Sequence, residues 1–188
     1  MALALVTAPT QEPVTTSEAK THLRVSGSSH DTLIDTLINA ARRLVEETLC
    51  KRALTTQTWD LFLDGFPPCI LVPRPPLASV TTVKYVNQAG TLTTISAADY
   101  RVDTNSAPAR ITPAYNVSWP TTRAVTNAVE VRFVAGYGNR TDVPQEIKQI
   151  VLLLVGVWFE HPEAVSSASL TEVPWAVSAI SSSLRVHI

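Results

Sequence analysis

The side chains that most often carry metal or nucleophilic chemistry are few in this sequence and stand far apart. Of the 188 residues, four are histidines and two are cysteines. The histidines are His22, His30, His161 and His187. None of them stands at metal-binding spacing from Cys, Asp or Glu, and no HExxH motif occurs. Cys50 and Cys69 do not form a CxxC pair, which favours reduced, buried thiols over a redox or metal site. The residue types therefore predict no metal ion.

Two other patterns resemble catalytic or phosphate-binding motifs but are better explained by turns. Gly136-Tyr137-Gly138 is a GxG without the further glycine that a dinucleotide fingerprint needs, and it is typical of a strand-to-helix turn. Asp99 and Asp103 could act as an acid–base pair. Arg101 lies between them, however, and a position flanking a turn favours solvated cap and turn residues. With no GxSxG elbow either, the sequence predicts no catalytic residue, no cofactor and no enzyme.

The tryptophans are the remaining candidates for a binding surface. They are Trp59, Trp119, Trp158 and Trp175. The first and third fall on the buried phase of a predicted strand and a predicted helix, which favours core packing. Trp119 and Trp175 stand in irregular context and are contact candidates. One alternative function is therefore a carbohydrate-binding module, in which Trp119, Tyr115 and Tyr137 would form a platform on the strands.

The charge balance excludes most electrostatic binding functions. The chain has 15 Lys plus Arg against 16 Asp plus Glu, and no segment collects a basic excess, so a phosphate-binding surface for nucleic acid is not expected. Charged residues make up only 16%, below the roughly 25% of average soluble domains, while hydrophobic residues reach 45%. A surface so poor in charge favours a subunit that buries part of itself against neighbours.

The apolar segments are too short for a membrane protein. The longest, residues 150–159, falls well short of the roughly 18 to 20 residues that a transmembrane helix requires. The first six residues have no basic flank and so do not resemble a signal peptide. The sequence predicts a protein without a membrane span that is made in the cytoplasm.

Helical patterns at both ends surround a region of strands. Thr15 and Glu18 form a capping box that opens a short helix. An amphipathic helix then covers about 30–50, with Ser28 or Ser29 as N-cap, and an apolar helix runs from about 144 to 160. Because its apolar residues occupy more than one face, Leu153 and Phe159 are candidates for contact with a neighbour. A last short helix follows Pro174.

Period-two patterns and turn residues occupy the middle of the chain. They predict antiparallel strands between about 54 and 141, including a hairpin around residues 87–90 and a second turn at 105–108. The predicted fold class is α+β, a small helical bundle formed by both chain ends with an inserted antiparallel β subdomain. We expect a single domain over 1–188, with the helical part at 1–53 and 142–188 and the β insertion at 54–141.

Eight segments together resemble one family, the head–tail connector (adaptor) proteins of long-tailed bacteriophages and related prophage particles. They are 13–25 (PVTTSEAKTHLRV), 33–41 (LIDTLINAA), 56–59 (TQTW), 64–67 (DGFP), 73–77 (PRPPL), 98–103 (ADYRVD), 132–138 (RFVAGYG) and 143–149 (VPQEIKQ). The order and spacing of these segments carry the resemblance, since no single one is a catalytic motif.

The resemblance implies a structural role in the virion. Such proteins form a ring, usually of twelve copies, beneath the portal at the head–tail junction. The ring extends the channel for double-stranded DNA, which passes without specific binding, and docks the tail or the next neck protein. By position, the resemblance implies portal contact for the C-terminal segment, Leu184, Arg185, Val186, His187 and Ile188. A head-closure or tail-completion protein, one layer further along the neck, is the nearest alternative.

Overall fold

The computed structural model describes residues 1–161 and 175–185, and its architecture is α+β, which confirms the predicted fold class. The chain divides into two compact units. The sheet unit contains Met1–Pro9 and Thr56–Tyr137, and the helical unit contains Thr10–Thr55 and the described residues from Gly138 to Arg185.

The described part of the helical unit has four α-helices. They are α1 (Thr16–Leu23), α2 (Asp31–Leu44), α3 (Gln145–Glu160) and α4 (Trp175–Leu184), with a π-helical turn (Val45–Leu49) continuing α2. The predicted capping box is present at α1: Thr15 Oγ1 accepts the Glu18 amide at 3.1 Å, and the Thr15 amide donates to Glu18 Oε2 at 2.7 Å. The predicted N-cap of α2 is wrong, because His30 precedes the helix and makes no side-chain cap.

One apolar stripe from each of α2 and α3 forms the core of the helical unit. The fully buried positions follow steps of three and four residues, as expected for helices that each bury one face. They are Ile34, Ile38, Ala41 and Val45 from the first helix and its π turn, and Ile147, Ile150, Val151 and Leu154 from the other. Val177 adds a buried side chain from α4.

A largely buried ionic cluster lies where α2 continues into the π-helical turn. Arg42 donates from Nε to Glu12 Oε2 and from Nη1 to Glu46 Oε2, both at 2.7 Å, and Leu54 N donates to Glu46 Oε1 at 2.9 Å. Burial alone would lower the pKa of Arg42, but the carboxylates of Glu46 and Glu12 outweigh it and raise that pKa above its ordinary value. We call Glu12, Arg42 and Glu46 the Arg42 clamp. Glu12 and the Leu54 amide, on either side of α2 in the chain, are both bonded to it.

The sheet unit consists of two antiparallel sheets. The strands are β1 (Ala2–Thr7), β2 (Gln57–Leu63), β3 (Ile70–Val72), β4 (Leu77–Val86), β5 (Leu92–Thr94), β6 (Tyr100–Asp103), β7 (Ala109–Pro113) and β8 (Val129–Ala135). The larger sheet has the order β1-β2-β8-β4-β5 and the smaller one the order β3-β7-β6. The predicted pairing across the turn at 105–108 is present, with Asp103 opposite Arg110.

The core of the sheet unit is built on β8, the central strand of the larger sheet. Its residues alternate strictly, with four buried side chains on one face. These are Val129, Val131, Phe133 and Ala135. On the opposite face, Arg132 makes a two-point ion pair with Asp60 at 2.8 and 2.7 Å.

The first residues of the chain differ from the expectation that placed 1–53 with the helices. Ala2–Thr7 form the edge strand β1, which pairs with β2 in the sheet unit. The segment carries no turn or cap signal of its own, and its partner strand lies far along the sequence. Its strand conformation comes from tertiary pairing, which local propensity does not reveal.

Candidate interaction surfaces

The side chains that could do chemistry do not converge in the described part of the chain. Within residues 1–161 and 175–185, no three His, Cys, Asp or Glu side chains are grouped so that they could hold a metal ion. Cys50 is fully buried, and burial raises the pKa of its thiol, which keeps it protonated and unreactive. Cys69 lies in the other unit, so the two cysteines belong to different packing environments.

Asp103 is a turn residue, as its sequence context predicts. Its carboxylate accepts the Ser106 hydroxyl at 2.6 Å, the Arg110 guanidinium at 2.7 Å and the Asn105 amide at 3.0 Å. These donors, led by the Ser106 hydroxyl, hold the pKa of Asp103 well below its ordinary range. A carboxylate so fully occupied with hydrogen bonds fixes the turn between β6 and β7 and is a poor general base.

We expect Asp103→Asn to loosen this turn at neutral pH. A carboxylate with a lowered pKa stabilises the folded state above its unfolded value of about 4, and this stabilisation disappears as the pH falls through the folded value. Amide hydrogen exchange at Asn105 and Ser106, corrected for intrinsic rates, should be faster in the variant at neutral pH and should converge with wild type only in strong acid. Asp99→Asn is the control. Equal exchange in Asp103→Asn and wild type at neutral pH would contradict the prediction.

Trp119 lies in an aromatic cluster on the long connection between β7 and β8. Its ring stacks on the ring of Phe66, with the centroids 4.7 Å apart and the planes inclined by 9°. The centroid of the Phe66 ring also lies 5.9 Å from that of Tyr85. Trp119 is half-buried, and its indole N–H is buried without an acceptor in the described residues. No sequence signal pointed to Phe66, since stacking between distant segments leaves no periodic pattern.

The connection that carries Trp119 is held against the β4–β5 hairpin. The Arg123 amide donates to the Val86 carbonyl at 2.9 Å, and Gln88 Nε2 donates to the Thr122 carbonyl at 2.7 Å. At its far end, the Asn127 amide donates to Asp64 at 2.8 Å. These bonds give a long irregular segment a defined backbone, which an interaction surface requires.

A pocket of about 220 Å³ opens between this connection and β5. Its lining combines apolar side chains with hydroxyl groups and one carboxylate. The lining residues are Tyr85, Thr93, Thr94, Ile95, Ser96, Asp99, Val117, Ser118, Trp119 and Pro120. The lining therefore offers apolar contact together with hydrogen-bonding groups.

The three aromatic residues of the carbohydrate-binding alternative do not stack on one another. Phe66 covers one face of Trp119, Tyr115 is 83% exposed, and Tyr137 is half-buried. Among the described residues, ring contacts link none of these three to each other. A flat platform of adjacent rings, which a sugar would need, is therefore not preassembled.

The other contact candidates lie in the helical unit. Leu153 and Phe159 are half-buried on α3, and the Phe159 ring meets His30 edge-on at 5.5 Å. Leu184 is half-buried at the end of α4, where its carbonyl accepts Arg52 Nε at 2.8 Å. Arg185 is exposed. Val186, His187, Ile188 and the side chain of Trp175 lie outside the described residues.

Among the residues that the structure describes, no helix is both long enough and apolar enough to span a membrane.

An α+β fold that presents ordered apolar surfaces fits the class of proteins that act through assembly. Comparison with known proteins makes this class specific. Residues 14–106, about half of the chain, match the family described as phage gp6-like head-tail connector protein. The chain belongs to the head–tail connector family, which confirms the resemblance seen in the sequence. No curated protein matches it in sequence.

Three solved structures are similar over the whole chain. A chain from the neck of an empty gene transfer agent (GTA) particle, computed with C6 symmetry, has a TM-score of 0.83 and 26% identity. A chain from the virion of a native GTA particle has a TM-score of 0.81 and 26% identity. A chain from the neck of a native GTA particle, computed with C12 symmetry, has a TM-score of 0.79 and 27% identity. Each match covers 100% of this chain and 97% of the other.

Proposed function

We propose that this protein is a structural component of the virion neck, an adaptor whose copies form a ring at the head–tail junction. The observation that carries the proposal is the likeness over 100% of the chain to proteins in the necks of gene transfer agent particles. Those necks were computed with sixfold and twelvefold symmetry, which supports a ring of copies. In a ring, each copy contacts its two neighbours through two different surfaces. Twelve copies is the number we propose.

The ring sits, in this proposal, beneath the portal and offers its other side to the next neck or tail protein. Double-stranded DNA passes through it without being held. A net charge of −1, with no basic segment, supports this role because a strongly basic lining would bind the polyanion and slow its passage. The protein makes and breaks no covalent bond, and its 188 residues act as one adaptor domain.

Removal of the gene tests the function directly. We expect particles whose heads are full of DNA but carry no tails, because the surface that docks the tail is missing. Electron microscopy of the particles measures the tailed fraction, and supplying the wild-type gene in trans should restore it. Heads that keep their tails without this protein would exclude the adaptor role, as would binding to tail proteins but never to isolated portal.

The C-terminal segment, Leu184 to Ile188, is the part that we propose contacts the portal. The bond from Arg52 to the Leu184 carbonyl supports this, because it fixes the point from which the last residues leave α4. A chain ending at Arg185 keeps that bond and lacks only Val186, His187 and Ile188. A chain ending at Ser183 loses the bond as well.

Both truncated chains should bind isolated portal at least about tenfold more weakly than the full chain, a loss of roughly 1.4 kcal/mol or more. The chain ending at Arg185 should unfold at the same temperature as wild type, since its helical unit is intact. Calorimetric titration against portal and thermal unfolding supply the two measurements. Unchanged portal affinity in both truncated chains would remove the C-terminal segment from the contact.

A further inference from the structure

Among the residues that the structure describes, no strand pairs with the outer edge at either end of the larger sheet, and the two ends differ in character. β1 forms one end and β5 the other, with β2, β8 and β4 between them. A strand at the end of a sheet presents unpaired N–H and C=O groups, and monomeric proteins usually protect such edges with charge, proline or a bulge. Each edge of this sheet is therefore a potential site for the addition of another strand.

The β1 edge is apolar and largely unprotected. Ala2–Thr7 contains no charged residue and no proline, and its pairing with β2 is regular from Ala2 to Leu5, with an irregularity only between Leu5 and Thr7. Leu5 is 47% exposed and Val6 45% exposed. A run of exposed aliphatic residues on a free strand edge favours a partner in the assembled state.

The β5 edge offers the complementary features. The Ile95 amide bonds to the Val83 carbonyl and the Asn87 amide to the Thr91 carbonyl, so the alternation of the ladder directs the backbone groups of Leu92 and Thr94 outward. Neither residue has a backbone hydrogen bond to another part of the described chain. The pocket that contains Trp119 borders this edge, and Thr93 and Thr94 line it.

Sheet geometry connects these two edges. Leu5 pairs with Trp59 and Trp59 with Phe133, so Leu5 lies on the face of the sheet that carries the core. Thr93 pairs with Tyr85, and Tyr85 pairs with Val129, which places Thr93 on the same face. A β1 strand added beside β5 in a continuous sheet would therefore turn Leu3 and Leu5 toward the pocket.

We propose that β1 of one copy adds to β5 of the next copy and inserts Leu5 into the pocket beside Trp119. This interface rests on the proposed function, because a ring needs two different surfaces that join by rotation. The antiparallel pairings give β1 and β5 the same direction, so copies related by the small rotation of a ring join their strands in parallel. Main-chain bonds provide the attachment, and the pocket provides the specificity.

Photo-crosslinking in assembled particles tests this interface. A photo-reactive amino acid in place of Leu5 should give crosslinked dimers of this chain, and mass spectrometry should locate the second attachment point within 92–120. The same amino acid in place of Leu71, a residue of β3 that is 43% exposed, is the matched control and should not react with that region. Crosslinked dimers in which Leu5 is attached to other parts of the second copy, or crosslinks from Leu5 to other virion proteins, would overturn the proposal.

A charge at the same position provides a second, functional test. Leu5→Asp places a carboxylate in a pocket that already contains the Asp99 carboxylate, so we expect about a tenfold or greater loss of this chain from the neck, given that each 1.4 kcal/mol is a factor of ten. Leu71→Asp should retain at least half of wild-type incorporation. If Leu5→Asp particles carry the normal number of copies, the proposed interface fails while the adaptor role stands. If the wild-type chain is absent from the neck, the adaptor role itself fails.

Discussion

Arg42→Ala should destabilise the helical unit by about 3–5 kcal/mol, the range measured when one partner of a buried ion pair is removed. Arg42 is 7% exposed and Glu46 only 5% exposed, so the truncation leaves a buried carboxylate without its cation. Glu12 loses its guanidinium partner at the same time. Chemical denaturation followed by the far-ultraviolet helix signal measures the change, which would be a large share of the stability of a domain this size.

The same stretch of chain supplies a matched control. Arg43 and Glu47 are also separated by four positions in the sequence. Arg43 Nη2 lies 3.7 Å from Glu47 Oε1, and the two side chains are 64% and 52% exposed. Exposed pairs of this kind contribute only about 0.3–0.5 kcal/mol, so Arg43→Ala should be nearly neutral. The double variant Arg42→Met with Glu46→Leu should recover part of the loss, because it removes the unpaired charge. Equal effects for Arg42→Ala and Arg43→Ala would show that the Arg42 clamp does not stabilise the helical unit.

Local signals predicted the elements whose conformation is decided locally. The Thr15 and Glu18 pair fixed the start of α1, since both hydrogen bonds of a capping box join residues three apart. The turn at 105–108 similarly predicted the pairing of β6 with β7. The period-two pattern that predicted strands between 54 and 141 includes β8, because a central strand with one buried face repeats every two residues.

Features that depend on distant segments could not be predicted in the same way. β1 exists because β2 offers it an edge, and the sheet order places β8 between two strands that precede it in the chain. In the Arg42 clamp, Glu12 lies 30 positions before Arg42 in the chain, a separation that leaves no local pattern. Among the contact candidates, Trp119 was identified by its irregular context, whereas its partner Phe66 and the pocket beside β5 appear only in three dimensions.

Phe133→Ala should cost the sheet unit about 3–5 kcal/mol, the usual range for removing a buried aromatic ring from a core. Phe133 is fully buried on the central strand, between Trp59 of β2 and Val80 of β4. The cavity left by the ring cannot be closed by a strand that is paired on both sides. Leu71→Ala, at an exposed position of β3, is the control and should change stability by less than about 0.5 kcal/mol.

Comparison of Phe133→Ala with Arg42→Ala also tests whether the two units fold as the single adaptor domain that we propose. The two substitutions lie in different units. Trp59 and Trp119 lie in the sheet unit, whereas Trp158 and Trp175 lie in the helical unit, so fluorescence is followed in a background in which Trp158 and Trp175 are replaced by phenylalanine. If the units unfold cooperatively, each variant should shift one common transition, seen equally by the remaining tryptophan fluorescence and by the far-ultraviolet helix signal. If Phe133→Ala instead separates the two signals and leaves the helices folded at the wild-type midpoint, the sheet unit is an independent domain. A ring subunit built in that way could dock one unit before the other, whereas a cooperative subunit must dock as a whole.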